Sequence, residues 1–405
     1  MAAGRPIVGG RPGETMTRPL RIFLCCQQDL RLHPVPAYRF WADSFRSAFA
    51  EAGHACLEAP GCDWAEGLTP LGPEALAAWR EATWQRAVDW IRLKHAVRPI
   101  DLFLSYLYPA QVHSGAVADL RSLGIPTVNY FCDNVRLFRS APAEYRGFDL
   151  HWVPEAAGLE LYRRAGLPSI HAPMACWVAP QWRTPPPLET LPPTFVGTRD
   201  ELRERLFARA FELGLKMDLR GVGWTGEVVP WADPPPGRGL GLLANQWDFA
   251  ARHGVVALAR KIAHRYFPPM PLNCDFAPRA KEPSWGDDYW RVLWECRVCV
   301  GVNRYPNPRR TLNRPDRYSR LRDIEAPMAG AAYLTETAPG LGELYDIGRE
   351  IEVYADAGEL AAKVAELEGD EPRRRRLREL GQRRALRDHG IAQTISKIAR
   401  RLGIS

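Results

Sequence analysis

Two arginines and a glutamate fall within six residues, Arg320, Arg322 and Glu325, in the run SRLRDIEAPMAGAAYLTETAPGLGELYDIGREIEVY. Arginine forks grip phosphate oxygens in pairs, so Arg320 and Arg322 suit a phosphate-bearing ligand. A carboxylate on the first turns of a helix, as Glu325 would be, can accept two hydrogen bonds from a ribose diol. Farther on, the loop TETAPG opens a second helix at about Gly340. The free N–H groups and partial positive charge of such a helix start suit a pyrophosphate. Each residue also has an ordinary role open to it. Glu325 could be a surface glutamate of an amphipathic helix. The arginines could make surface or interdomain ion pairs, and Gly340 could be a turn glycine.

These side chains need a scaffold, and the apolar pattern supplies one. RIFLCC, HACLEA, DLFLSYL, PTVNYFC and DLHWV are short apolar runs with little internal alternation, as in a parallel sheet covered on both faces. Helical patterns lie between or after them: one stripe of Trp41, Phe45, Ala48, Phe49 and Ala52, a long helix over about Glu74 to His95, and helices around Val112–Leu123 and Ala156–Ala165. Gly124 and Gly166 fall where helix C-caps belong. The segment TPPPLETLPP is too rich in proline to continue a helix and reads as a stiff linker. Beyond it the pattern begins again with TFVG, a helix bearing Leu202, Leu206, Ala210 and Leu213, and KMDLRGVG. A loop at WADPPPGRGLG, a long helix from Trp247 to Phe267, and strands at RVCVGVN, GAAYLTE and EIEVY complete it. The expected organisation is a lead-in over 1–19, an N-terminal Rossmann-like unit over 20–180, a linker over 181–193 and a second Rossmann-like unit over 194–405. Ligands in such sheets bind outside the carboxyl ends of the strands, which here means the cleft between the units.

Composition narrows the class. A chain of 405 residues suits two Rossmann-sized domains, and 46% hydrophobic with 25% charged residues is ordinary for a globular enzyme. No apolar run is long enough to cross a bilayer, and the N-terminus has no apolar core of a signal peptide, so a cytoplasmic protein is expected. Nine scattered cysteines read as small buried hydrophobes, since the CxxC of Cys296 and Cys299 has no second pair or His to complete a zinc site. A net charge of +7 suits an anionic substrate or an anionic membrane surface. No nucleic-acid-binding signature accompanies it. Much of the excess lies in the run from Arg373 to Arg387, which reads as the solvated face of a helix. The fourteen tryptophans read as core packing.

The segment over about 290 to 390 resembles the C-terminal domain of group 1 glycosyltransferases, particularly the branch related to the spore maturation protein CgeB. The residues that carry the resemblance are Arg320 or Arg322, Ile324, Glu325, the turn Ala329–Gly330–Ala331, and Leu334–Thr335–Glu336. The continuation GLGELYDIGREIEVY and the closing Arg-rich helix with His389 also match, and FVGTR, ending at Arg199, is similar to the opening of that domain. The resemblance implies the GT-B fold and a nucleoside diphosphate sugar as donor. It assigns Glu325 to the nucleotide ribose, and Arg320, Arg322, Arg199 and the helix start at Gly340 to the donor side. One departure stands out. Many group 1 enzymes carry a second glutamate eight positions before the ribose-binding one, and here that position is Arg317.

Transfer of a sugar to a hydroxyl that inverts configuration needs a group to take the acceptor proton. Asp133, directly after PTVNYFC, is the first choice, and Asp29 and His33, after the first strand, come next. Each could instead cap the following helix. A retaining reaction needs no protein base. No metal and no cofactor are expected, because arginines and a helix dipole can neutralise the diphosphate and no Asp-x-Asp motif occurs. The acceptor could be a glycan, a lipid-linked molecule, a protein or a small molecule, and basicity is compatible with peripheral contact at the inner face of a membrane. Two rivals keep the fold: a catalytically inactive nucleotide-sugar-binding protein, which the change at Arg317 leaves open, and a nucleotide-sugar epimerase.

Overall fold

A computed structural model describes residues 18–26, 36–184, 186, 188–225, 246–247, 249–250, 253–266 and 274–404. Strand and helix alternate along the chain as their apolar patterns require, and the strands assemble into two sheets. The first contains β1 (Arg21–Cys25), β2 (Ala55–Leu57), β3 (Leu102–Ser105), β4 (Thr127–Tyr130), β5 (Leu150–Val153) and β6 (Ser169–His171). All neighbours are parallel, in the order β2-β1-β3-β4-β5-β6. Every residue of β3, β4 and β5 is buried, which is why these strands read as continuous apolar runs rather than alternating ones.

The second sheet is built from β7 (Thr194–Val196), β8 (Asp218–Arg220), β9 (Ala280–Lys281) and β10 (Cys299–Gly301), with β13 (Tyr333–Glu336) and β14 (Glu352–Tyr354) after an antiparallel ribbon of β11 (Arg304–Tyr305) and β12 (Asp316–Arg317). Its order is β14-β13-β10-β7-β8-β9, again parallel throughout. Counted within the unit this is the doubly wound order 3-2-1-4-5-6, whose direction reverses between β7 and β10. Strands β6, β9, β11 and β12 have no apolar run behind them and were not foreseen. Each is two or three residues long, and none is fully buried.

Two expectations change on folding. The helix foreseen from Trp247 to Phe267 is interrupted at Gly254, whose φ of +91° separates the helical residues 246–247, 249–250 and 253 from the helix Val255–Tyr266. The expected bases Asp29 and His33 lie outside the described residues. The arginine run is not simply a solvated face: within the helix Glu371–Asp388, Arg374 and Arg378 are buried. Both pair with Glu189 of the proline-rich segment, at 2.5 and 3.0 Å, and Arg378 also donates to the carbonyls of Trp294, Cys296 and Gly330. The last helix, Ile391–Leu402, crosses back to the first unit and buries Ile391, Ile395 and Ile398 in its core. Among the described residues no disulfide joins any of the nine cysteines, and no helix is long and apolar enough to cross a membrane.

Candidate functional site

The reversal of strand order between β7 and β10 leaves a crevice at their carboxyl ends, and the charged residues of the signature run converge there. Arg322 opens the helix Arg322–Met328 and lies half-buried at the end of β7, where its Nη2 donates to the Val196 carbonyl at 3.0 Å. Its Nε lies 3.2 Å from Glu325 Oε1 on the next turn, and its guanidinium stacks 4.8 Å from the Tyr289 ring. Burial works against the charge on Arg322, but Tyr289 and Glu325 prevail and raise its pKa. One donor, Nη1, is buried with no acceptor.

Glu325 is not a surface glutamate. It is 2% exposed, and Tyr289, from the helix Gly286–Glu295, donates its hydroxyl to the same Oε1 that pairs with Arg322. The helix is held in place by Asp323, which is fully buried. Its Oδ1 accepts from the Tyr333 hydroxyl at 2.8 Å and the Thr335 hydroxyl at 2.8 Å, and Oδ2 accepts from the Arg320 backbone N–H at 3.0 Å. Burial pushes the Asp323 carboxyl upward while these donors pull it down, and the balance is upward.

Arg320 points toward the first unit. Its guanidinium lies 4.8 Å from the Tyr305 ring, and Arg136 lies 4.3 Å from the same ring. Arg136 in turn reaches Asp133 at 3.7 Å. Asp133 occupies the N-cap position of the turn Asn134–Leu137, yet its side chain makes no cap hydrogen bond, so the carboxylate is not consumed by capping. Arg203 approaches from the helix Glu201–Glu212 after β7. Burial, above all, pulls its pKa down to about 10, with Arg320 and Arg322 adding to the effect and Asp200 opposing it. Its Nε is 3.2 Å from Asp200 Oδ2 but off the line of a hydrogen bond. Three guanidiniums thus crowd one crevice with fewer carboxylates than they need, an environment that favours an anion.

The remaining predicted residues lie elsewhere. Arg199 pairs with Glu204, donates to the Gly223 carbonyl at 3.2 Å and stacks on Phe276 at 5.4 Å, so it braces its own loop. Gly340 takes φ +86° ahead of the four-residue helix Leu341–Leu344, and a Cβ there would sit 3.4 Å from Ala156 of the first unit. That helix is too short to carry a dipole of consequence. Arg317, at the position of the absent second carboxylate, lies on β12 with its Nε 2.8 Å from Glu336 Oε1. Glu336 is fully buried and also pairs with Arg304 at 2.6 Å. The arginine therefore neutralises a carboxylate rather than replacing one.

Tyr305, Tyr289, Arg203 and Arg136 were not foreseen, because none lies within the signature run and only the fold gathers them. Glu155 was also missed. It follows β5 in HWVPE, is fully buried, and accepts from Asn134 at 2.7 Å through Oε2, while Oε1 has no partner. Burial is the chief cause that lifts its pKa from 4.5 to about 7, and Asp133 adds to it. A cavity of about 1240 Å³ opens elsewhere between the units, lined by His171, Arg183, Met328, Arg384, His389 and Lys397 among others. It contains none of Glu325, Arg320 or Asp133, and Arg183 and Arg384 are already paired there with Glu51 and Asp388. Among the described residues no group of three His, Cys, Asp or Glu could hold a metal ion.

Residues 251–400 match the family model described as glycosyl transferase-like. Sucrose-phosphate synthase from Thermosynechococcus elongatus is similar in structure with a TM-score of 0.53 at 15% identity, over 95% of this chain and 99% of that one. A glycosyltransferase from Rickettsia africae gives 0.52 at 9% identity, over 95% and 98%. Anabaena HepE in complex with UDP gives 0.52 at 11% identity, over 94% and 99%. The fold is GT-B. The GT-B cleft is the space that Arg320, Tyr305 and Arg136 span, and Arg320 and Glu325 fall within the matched residues. No curated protein matches the sequence.

Proposed function

We propose that this protein transfers a sugar from a nucleoside diphosphate donor to an acceptor hydroxyl held in the GT-B cleft, and that it belongs to the CgeB-like branch. The observation that carries this reading is the meeting of Arg203, Arg320 and Arg322 with Glu325 at the switch point of the second sheet. In this reading Glu325 Oε2 accepts from a ribose hydroxyl, since Tyr289 and Arg322 both occupy Oε1. Arg320 and Arg203, with the orphaned Nη1 of Arg322, take the diphosphate. As the bond from the anomeric carbon to the phosphate oxygen breaks, the leaving oxygen gains charge, and preorganised guanidiniums stabilise it without a divalent ion. The acceptor oxygen bonds to the anomeric carbon and gives up its proton to Asp133, a carboxylate of the first unit that makes no capping bond and lies beside Arg136. HepE was solved with UDP, which makes uridine the first base to test.

The test is a thermal-shift screen of UDP, GDP and ADP and their sugars on the wild type and Glu325→Ala, followed by an assay of nucleoside diphosphate release. Stabilisation by one nucleotide, lost in the variant, and slow release of the diphosphate support the transferase. Equal stabilisation of both proteins by every nucleotide would sink the ribose assignment. Tight binding with no turnover over a broad acceptor panel would instead favour a binding protein.

A further inference from the structure

The cavity between the units, apart from the crevice of Arg320 and Glu325, has a charge and a hydrogen-bonding pattern of its own. Its volume of about 1240 Å³ is at or above the ~300–1,000 Å³ of small-molecule sites. Six of the residues that line it are Arg or Lys, and three are Glu or Asp. Two of the cations are answered, Arg18 by Asp101 at 2.9 Å and Arg183 by Glu51 at 2.5 Å. At one end the balance is different. Arg384 and Arg387 both lean on Asp388, at 3.1 and 2.7 Å, and Glu350 stands 4.0 Å from Arg384. Lys397 makes no ion pair among the described residues. Partial burial lowers its pKa, and Arg400 and Arg384 add to the effect against the pull of Asp388. Beside these side chains the helix Ile391–Leu402 starts at Gly390 with no capping side chain and no acidic residue in its first turn. The N–H groups that open it add partial positive charge to the same end. Such a concentration of positive charge in a partly enclosed space favours an anion.

Two histidines in the wall are fixed in opposite roles. His54, 9% exposed, accepts the Leu20 backbone N–H on Nδ1 at 3.1 Å, so its proton resides on Nε2. His389, 4% exposed, donates from Nε2 to the Leu344 carbonyl at 2.9 Å, which leaves Nδ1 as a lone pair. Burial lowers the pKa of both, that of His389 to about 4, so both rings are neutral near pH 7. Neither His54 Nε2 nor His389 Nδ1 has a hydrogen-bond partner among the described residues, and neither is shut away from solvent, so both open on the cavity. One N–H donor and one lone pair are the two complements of a hydroxyl group. A ligand that carries both an anionic group and hydroxyls meets all of these groups. A phosphate monoester suits the cationic end better than a carboxylate, since its three free oxygens can be shared among an arginine, a lysine and backbone N–H groups.

We propose that this cavity is a second ligand site, one that takes a sugar phosphate. Arg387, Lys397 and the start of the closing helix hold the phosphate, and His54 and His389 hold hydroxyls. His54 belongs to the first unit and Arg387 to the second, so the ligand bridges the units away from the donor crevice. The assignment does not rest on the transferase reading above. Calorimetric titrations of the full-length protein use ribose 5-phosphate and glucose 1-phosphate, with glucose and inorganic phosphate as controls, and melting temperatures are read in the same samples. At least one sugar phosphate is expected to bind once per chain, more tightly than either control, and to raise the melting temperature. Lys397→Gln is expected to melt like the wild type without ligand and to bind about tenfold more weakly, and Lys397→Arg to recover the binding. Arg387→Gln tests the same end a second time, with the same expected loss. Failure of both sugar phosphates to bind, or equal binding by both Gln variants, overturns the proposal. Inorganic phosphate binding as tightly as the sugar phosphates overturns it too, since the histidines would then have no part. Displacement of the sugar phosphate by UDP would put it in the donor crevice, with the same consequence. A wild type that does not respond to UDP, yet binds a sugar phosphate through Lys397, would remove the donor reading and leave this site.

Discussion

Glu155 and Asp133 stand at the ends of adjacent parallel strands, but only Asp133 has a cation beside it, Arg136 at 3.7 Å. Glu155 has one amide donor and a second oxygen with nothing to bond. A carboxyl in that setting stays protonated longer than it would in water, here up to about pH 7. Below the ordinary value of 4.5 both folded and unfolded chains hold the proton, and this residue exerts no pH-dependent effect. Between 4.5 and about 7 the unfolded chain ionises while the folded one does not, so stability falls as pH rises through that window. The full difference is about 3 kcal/mol. Glu155→Gln mimics the protonated form, so its stability relative to wild type should grow by about that amount between pH 4.5 and 7.5 in urea denaturation. A constant difference between the two proteins would mean that the carboxyl is already ionised in the fold. The comparison cancels His151 and His389, whose pKa values burial lowers to about 4 and whose effect has the opposite sign.

At the level of elements, the helix Glu371–Asp388 decides where the signature helix sits. Gly381 allows the approach: a Cβ there would lie 2.4 Å from the Glu350 carbonyl oxygen and 3.7 Å from Pro327 of the Arg322–Met328 helix. Gly381→Ala should gain about 1 kcal/mol of helix propensity but lose more to the clash with fixed backbone, for a net loss of about 1–2 kcal/mol. Because the shift is transmitted to the helix of Glu325, nucleotide stabilisation should weaken along with the melting temperature. On the far side of the same helix, Glu189→Ala strands the buried Arg374 and Arg378. Breaking such a cluster costs about 3–5 kcal/mol, and a loss under about 1 kcal/mol in chemical denaturation would show that water compensates them. The sequence shows why some of this was legible. Strands β3, β4, β5, β10 and β13 are apolar runs, and Gly124, Gly166 and Asp356 punctuate helices where such residues do so by their own backbone chemistry. Arg320, Arg322 and Glu325 could be picked out because they share one run. Arg374 and Arg378 could not be told from the exposed Arg375, because their burial depends on Glu189 almost two hundred residues earlier. Glu155 and Tyr305 were hidden for the same reason, since the groups that give them meaning arrive from other strands or from the other unit.

The two units are coupled by groups that a ligand would have to compete with. Arg309, beyond the β11 strand, reaches across to three carbonyls of residues 135–138, at 2.6, 3.1 and 3.0 Å, while Tyr305 sits between Arg136 of one unit and Arg320 of the other. These contacts hold the cleft shut on the side where the candidate donor site lies. The closing helix Ile391–Leu402 ties the units together independently, through apolar burial that does not involve the cleft. Removing Arg309 should therefore open the cleft without unfolding either unit. A hydrogen bond from a charged group is worth about 1.5–3 kcal/mol, so the loss of even one of these three shifts an open–closed balance by a factor of about 10 to 150. Arg309→Ala should raise the radius of gyration above the ~22 Å of a compact chain of this length in solution scattering. It should also slow sugar transfer, because only the closed fraction brings Asp133 of the first unit up to a donor held by Arg320 and Glu325, while nucleotide stabilisation and the melting temperature without ligand change little. Unchanged scattering with a lower melting temperature would place Arg309 among the supports of the fold and leave the closure to Tyr305 and its two arginines.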